Sequence, residues 1–254
     1  MKTKLASILA PILTGVLLVS AGWGPIGHSQ IADEIIYGGK IEIADAEAFR
    51  ACSFLPDMAL VSGGTWVEHG WLHSEVFISV LWSLADTPEK QDCVKGYITH
   101  IEGDTVEEPW SAQQTAAGAP FKADFAADAL MLSVPGYDKP TLNMTPELRY
   151  FLSAAWRQSH PPGTTWWLSS TLLQWFIEPS FNGYFQLGYN SIFHPPIDEA
   201  QQWYGAYNTY TGESVNRATA RLNGAPTPIP SPVPTPRPTP TPISCPKFTR
   251  CYWR

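Results

Sequence analysis

The sequence predicts an all-α protein: a single multi-helix domain followed by a disordered, proline-rich C-terminal tail. Three observations carry that expectation. Apolar residues recur at helical spacing through most of the chain. The helix start Thr-Pro-Glu occurs twice, at 87–89 and 145–147. Alternating apolar runs are few, and no strand–helix–strand rhythm is present.

Taken in order, residues 1–22 read as a signal peptide. Lys2 and Lys4 give a positive start, 5–19 are apolar, and Ser20-Ala21-Gly22 offer the small residues that a signal peptidase requires. A cut there frees the amine of Trp23 and predicts a secreted, extracellular or cell-surface protein; the competing reading is an uncleaved anchor. Nothing later is apolar for long enough to cross a bilayer, so the mature chain is expected to hold no transmembrane segment. Ile31, Ala32, Ile35 and Ile36 form a helical stripe stopped at Gly38-Gly39, and 44–52 make a second helix. Residues 53–57 turn the chain. The strongly apolar stretch 72–84 predicts a buried helix, with His73 inside it. From Thr87 a helix is expected through Val94, Tyr97, Ile98 and Ile101. Further helices fit 121–132, 146–158, 165–176 and 197–222, the last stopped at Gly224.

The domain is therefore expected over 23–225. Proline at every second position from 226 to 242 rules out helix interior and sheet, leaving an extended spacer able to span about 50 Å. It reads as a stalk, a glycan carrier or a tail without a partner. Residues 243–254 are too few for a core of their own. The net charge of −7 argues against unaided attraction to nucleic acid or anionic membranes, although bound divalent cations would reverse the local field. Four cysteines in an exported chain suggest disulfides, with three possible pairings. One of these staples a short loop with Cys245 and Cys251 and leaves Cys52 with Cys93.

Several residue patterns point to metal chemistry. A freed Trp23 amine has an ordinary pKa of about 7.7–8.0, so a divalent cation can displace its proton near neutrality. Its backbone carbonyl and His28 could add donors. In Gly96-Tyr-Ile-Thr-His100-Ile-Glu-Gly-Asp104, His100 and Asp104 stand one helical turn apart on one face, where both can reach one ion or the carboxylate can bridge two. Asp57 follows a proline in a turn that presents its carboxylate from a fixed loop. His69 and His73 are also four residues apart; either could be a ligand, with His73 favoured. Against each stands the plain alternative of a hydrogen-bonded or ion-paired structural residue.

In this order, the Trp-Gly-x-x-Gly-His start, the Leu-Pro-Asp turn, the following histidine and Gly-Tyr-x-x-His-x-x-x-Asp resemble the zinc-dependent phospholipase C and S1/P1 nuclease superfamily. The resemblance runs from about Trp23 to Asp128. It implies an all-α fold, a zinc cluster and hydrolysis of phosphodiester bonds in lipids or nucleic acids by a metal-activated water. Carried over, Trp23 and His28 hold one Zn2+ and Asp57, His73 and His100 a second. Asp104 bridges the two, and Asp57 also orients the water and takes its proton. The third ion of the family is where the chain departs. Trp110 stands where a histidine is expected, and Asp124-Phe-Ala-Ala-Asp128 has aspartate in place of another. That site is either lost or rebuilt from Asp124, Asp128 and Glu107 or Glu108, carboxylates that favour harder cations. His160 and His194, in proline-rich loops, read as structural or exposed.

The segments Gly-His-Ser-Gln-Ile-Ala and His-Ser-Glu-Val-Phe lean toward the phospholipase C branch, with a phospholipid substrate and transient membrane-surface contact. Trp66, Trp71, Trp110, Trp166, Trp167 and Trp175, with Phe181, Tyr184 and Phe185, could meet lipid, stack on bases or simply pack helices. The rival readings are a nuclease acting on single strands, a degenerate member that binds metal or phospholipid without turnover, and a surface-attached binding module.

Overall fold

The computed structural model describes residues 25–116, 140–187 and 197–224. Helices take up 74% of the interpretable residues and no strand occurs among them, which bears out the all-α expectation. The leader, the stretch 121–132 and the proline-rich tail lie outside the described residues.

The chain opens with α1 (Pro25–Gly38), ended by Gly39 at φ 60°. Helix α2 (Ala46–Cys52) is capped by Asp45, whose carboxylate accepts the Ala48 N–H. A 3-10 turn (Leu55–Asp57) leads into the single turn α3 (Met58–Val61). Helix α4 (Trp66–Leu72) starts at a reciprocal cap between Thr65 and Glu68. Helix α5 (Glu75–Leu84) starts afresh at Ser74, which caps the Phe77 N–H.

Here the expected single stretch 72–84 is corrected. Because Ser74 begins a new helix, His73 sits in the corner between α4 and α5, not inside a helix. The long helix α6 (Pro88–Ala116) runs past Pro109 and beyond the stretch read from the sequence. Helix α7 (Pro146–Ser159) is capped by Thr145. The helix expected from 165 begins only at Ser170, since Ser169 is the cap. It runs as α8 (Ser170–Leu172), π turns over Leu173–Ile177, and α9 (Glu178–Leu187). Helix α10 (Ile197–Leu222) matches its expected bounds.

Helix α6 is the axis. On one side, Phe77, Tyr97, Trp156, Trp166 and Phe181 lead a core built from α2 through α9, with Ile26 of α1. On another, α1 and α10 close over Ile31, Ile35, Phe49, Val106, Tyr210 and Val215. Two features hold α2 close to α6. A disulfide joins Cys52 to Cys93, and Gly96 lets the Phe49 carbonyl approach so near that a Cβ there would lie 1.9 Å from its oxygen. Helix α10 is tied on by Arg217 and Arg221, whose guanidinium groups donate to the buried Glu102 at 2.9 and 2.7 Å. Cys245 and Cys251 lie outside the described residues. Among those residues no helix is long and apolar enough to cross a membrane.

Candidate metal centre

Five elements deliver polar side chains to one place beside α6. His28 comes from the first turn of α1, Asp57 from the 3-10 turn, His69 from the last turn of α4 and His73 from the corner after it. His100 and Asp104 come from successive turns of α6. Gly96 lies on that same face one turn earlier. Its missing side chain brings α2 in, and α2 ends at Ser53, whose carbonyl accepts the His100 Nδ1–H at 2.8 Å. Tyr97 is fully buried and donates its hydroxyl to the Leu72 carbonyl at 2.9 Å, which fastens the chain immediately before His73. His73 Nδ1 in turn donates to the His69 carbonyl at 2.9 Å.

These two backbone contacts decide the chemistry. A carbonyl can only accept, so both Nδ1 atoms carry hydrogen, and each neutral imidazole must present its Nε2 lone pair. The two Nε2 atoms face each other at 3.3 Å. Asp104 Oδ2 is 3.1 Å from His73 Nε2 and 3.1 Å from His100 Nε2. Asp57 Oδ1 is 3.8 and 3.7 Å from the same two nitrogens. Donors about 2.0–2.1 Å from a tetrahedral zinc lie about 3.3 Å from one another. The donors of His73, His100 and Asp104 are thus spaced as three corners of such a site, and Asp57 lies on the same two imidazoles at slightly longer range.

The other oxygen of Asp104 faces a second position. His28 Nε2 lies 3.2 Å from Asp104 Oδ1, yet neither atom makes a hydrogen bond within the protein, and His28 is 1% exposed. Its ring stacks on that of His100 with centroids 3.6 Å apart. A buried imidazole nitrogen and a buried carboxylate oxygen facing one another without a bond are what a bridging carboxylate with a second cation would need.

Electrostatics agree. Burial opposes a charge on His100, but Asp104 and Asp57 outweigh it and push its pKa up to about 10. Burial likewise opposes protonation of His73, and its bond to Asp104 reverses the balance, raising its pKa. Burial, reinforced by the neighbouring His100, lowers that of His28. Both carboxylates resist burial and are nonetheless held below their ordinary range, Asp57 by His100 and His69 and Asp104 by His100 and His28. The buried Asp104 and the half-buried Asp57 thus favour a proton on the His100 imidazole. The cluster is short of positive charge, which a bound cation would supply.

The structure therefore brings together His28, Asp57, His73, His100 and Asp104 of the residues singled out in the sequence. Trp23, Asp124, Asp128 and His194 lie outside the described residues. Glu107 is fully buried one turn beyond Asp104. His160 caps the end of α7, half-buried, and its ring lies 5.2 Å from that of Trp167. Sequence reasoning treated His69 and His73 as alternatives; in the fold both are present, with His69 Nε2 3.1 Å from Asp57 Oδ1. It also missed the Ser53 carbonyl, for which a sequence carries no signal. The cap Thr65-Trp-Val-Glu68 was not missed for lack of a signal: Thr65 and Glu68 have the spacing of a reciprocal cap, and they place the helix start that aims His69. In comparison with known proteins, the chain matches no family model, no curated protein and no solved structure.

Proposed function

We propose that this protein is an exported, zinc-dependent phosphodiesterase of the phospholipase C type. The observation that carries the reading is the convergence of the His73 and His100 lone pairs with Asp104 at the spacing of a tetrahedral ion, with Asp57 3.8 and 3.7 Å from the same two nitrogens. The donor set of two imidazoles and two carboxylates suits zinc better than magnesium or calcium, which favour oxygen alone. Asp57, His73, His100 and Asp104 would hold one ion. Asp104 and His28 would hold its neighbour, with the Trp23 amine and carbonyl proposed to complete that set. The third position is either lost or rebuilt from Asp124, Asp128 and Glu107 or Glu108. When bound, such a pair of ions supplies Lewis acidity toward both a phosphoryl group and water.

The protein's own residues then have distinct tasks. Asp104, 10% exposed at its side chain, is committed to holding charge on both sides of its carboxylate. Asp57, at 24%, is the more open carboxylate and the one placed to orient a water and accept its proton. The backbone carbonyls of Ser53 and His69 keep both imidazoles in the tautomer that binds a cation. The preference for phospholipid over single-stranded nucleic acid rests on the sequence segments around His28 and His73.

The test is zinc quantitation on the exported protein, followed by hydrolysis assays on phosphatidylcholine and single-stranded DNA with and without a chelator. Zinc-dependent release of a phosphorylated head group is the expected result. Cleavage of DNA alone would assign the nuclease reading. A metal-replete protein inert on both would favour the non-catalytic binder, which the departures at Trp110 and Asp124 keep in play.

A further inference from the structure

His69 stands against the metal cluster without an obvious place in it. Its Nε2 is 3.1 Å from Asp57 Oδ1, closer than His73 at 3.8 Å or His100 at 3.7 Å. Asp57, His69 and His73 also satisfy the spacing of a three-donor metal group. That group cannot be a separate ion position. His73 has only Nε2 to offer, because Nδ1 is spent on the His69 carbonyl, and Nε2 already points between His100 and Asp104. Without His73, an ion at His69 would keep, among the described residues of that group, only Asp57 as a further partner.

Asp57, by contrast, needs a partner. It stands at the N-cap of α3, but its carboxylate makes no capping bond there, so the helix it begins does not orient it. The His69 ring is well placed to do so. It is held on the last turn of α4, with the Trp66 ring edge-on at 5.1 Å and the His73 ring at 4.0 Å. Both neighbours restrict its rotation, and it presents Nε2 to the carboxylate oxygen that also faces His73 and His100.

We propose that His69 is a positioning residue: its Nε2–H holds the Asp57 carboxylate in the orientation that completes the four-donor site, and it is not itself a ligand. This rests on the zinc reading given above. A hydrogen bond to a ligating carboxylate fixes its direction and tunes its basicity, and losing one lowers metal affinity about 10- to 100-fold without removing the site.

The experiment uses the exported protein with His69→Ala, His69→Phe, His69→Gln and His73→Ala. Zinc bound per chain at saturation, zinc affinity by competition with a chromophoric chelator, and the visible spectrum of the cobalt-substituted protein are measured for each. The Ala and Phe variants are expected to keep the parental ion count, to lose about 10- to 100-fold in affinity and to shift the cobalt spectrum. Phe retains a ring against Trp66 and His73, so its loss reports the missing donor and not packing. Gln, whose amide can donate to the same oxygen, should recover most of the affinity, and His73→Ala should lose an ion. An ion lost in His69→Ala but kept in His73→Ala would overturn the assignment, as would parental affinity in the Phe variant or no recovery with Gln. A parental chain that binds no zinc removes this inference together with the proposed function. The expected series in a protein that hydrolyses nothing leaves the inference standing and sinks only the enzymatic reading.

Discussion

At the scale of single residues, the centre depends on carboxylates that the fold has partly withdrawn from water. Asp104 touches His28, His73 and His100 through its two oxygens. Asp104→Asn replaces one oxygen by an amide that cannot ligate and removes a charge. Zinc affinity is expected to fall by more than about 100-fold, beyond what losing a supporting hydrogen bond does, while melting of the metal-free protein should change far less. Chelator competition and a thermal melt in chelator check the two halves. Glu68 illustrates a different use of a carboxylate. Burial works against its charge, but bonds from Thr164 and Thr65 win and draw its pKa down from 4.5 to about 2. A depressed folded-state value means stability that is complete above the unfolded value and is lost as pH falls through the folded one. Glu68→Gln should therefore cost about 1 kcal/mol near pH 6, and its difference from the parent should shrink between pH 4.5 and about 2. Denaturant melts of both proteins across that range measure it.

At the scale of elements, what a sequence discloses depends on whether its signal is local. Thr145 before Pro146 and the closing Gly224 are cap and stop signals written within a few residues, and α7 and α10 fall where they predict. Ser74 carries an equally local signal, but the apolar run on both sides concealed it, so the corner that presents His73 was read as helix. The spacing of His100 and Asp104 gave the site its frame, because one helix turn is a local distance. The meeting of that frame with His28, Asp57 and His73 is tertiary, and the order of motifs pointed to it only through resemblance. Gly96 shows the boundary well. Its neighbours were singled out, yet its purpose is visible only once the Phe49 carbonyl lies against it. Gly96→Ala is expected to push α2 from α6, destabilise the protein by about 3 kcal/mol, the upper end of overpacking costs, and weaken zinc binding by displacing Ser53. Denaturant midpoints and zinc affinity, measured on one preparation, test both effects.

At the scale of the whole molecule, every described residue of the cluster lies between His28 and Asp104, far in sequence from the C-terminal tail. Helix α10 ends at Leu222, and Gly224, at φ 71°, closes it. Deleting 225–254 is expected to leave the melting temperature and zinc content within error of the parent, as scanning calorimetry and metal analysis would record. A fall in either would give the tail a part in the domain.

The disulfide between Cys52 and Cys93 encloses 41 residues of sequence separation, for which chain-entropy reasoning gives about 4 kcal/mol. Its position matters more than its size. Ser53, the very next residue after one cysteine, supplies the carbonyl that orients His100, which stands two turns along α6 from the other. Under the proposed zinc reading, the redox state of a sulfur pair would thereby be wired to the grip on the ion. Mild reductant alone should leave the ion in place but hasten its escape to a chelator, and reoxidation should restore retention, a dependence that stopped-flow release kinetics can follow. Such a protein would hold its metal firmly only where thiols are scarce, and would surrender it on entering a reducing compartment.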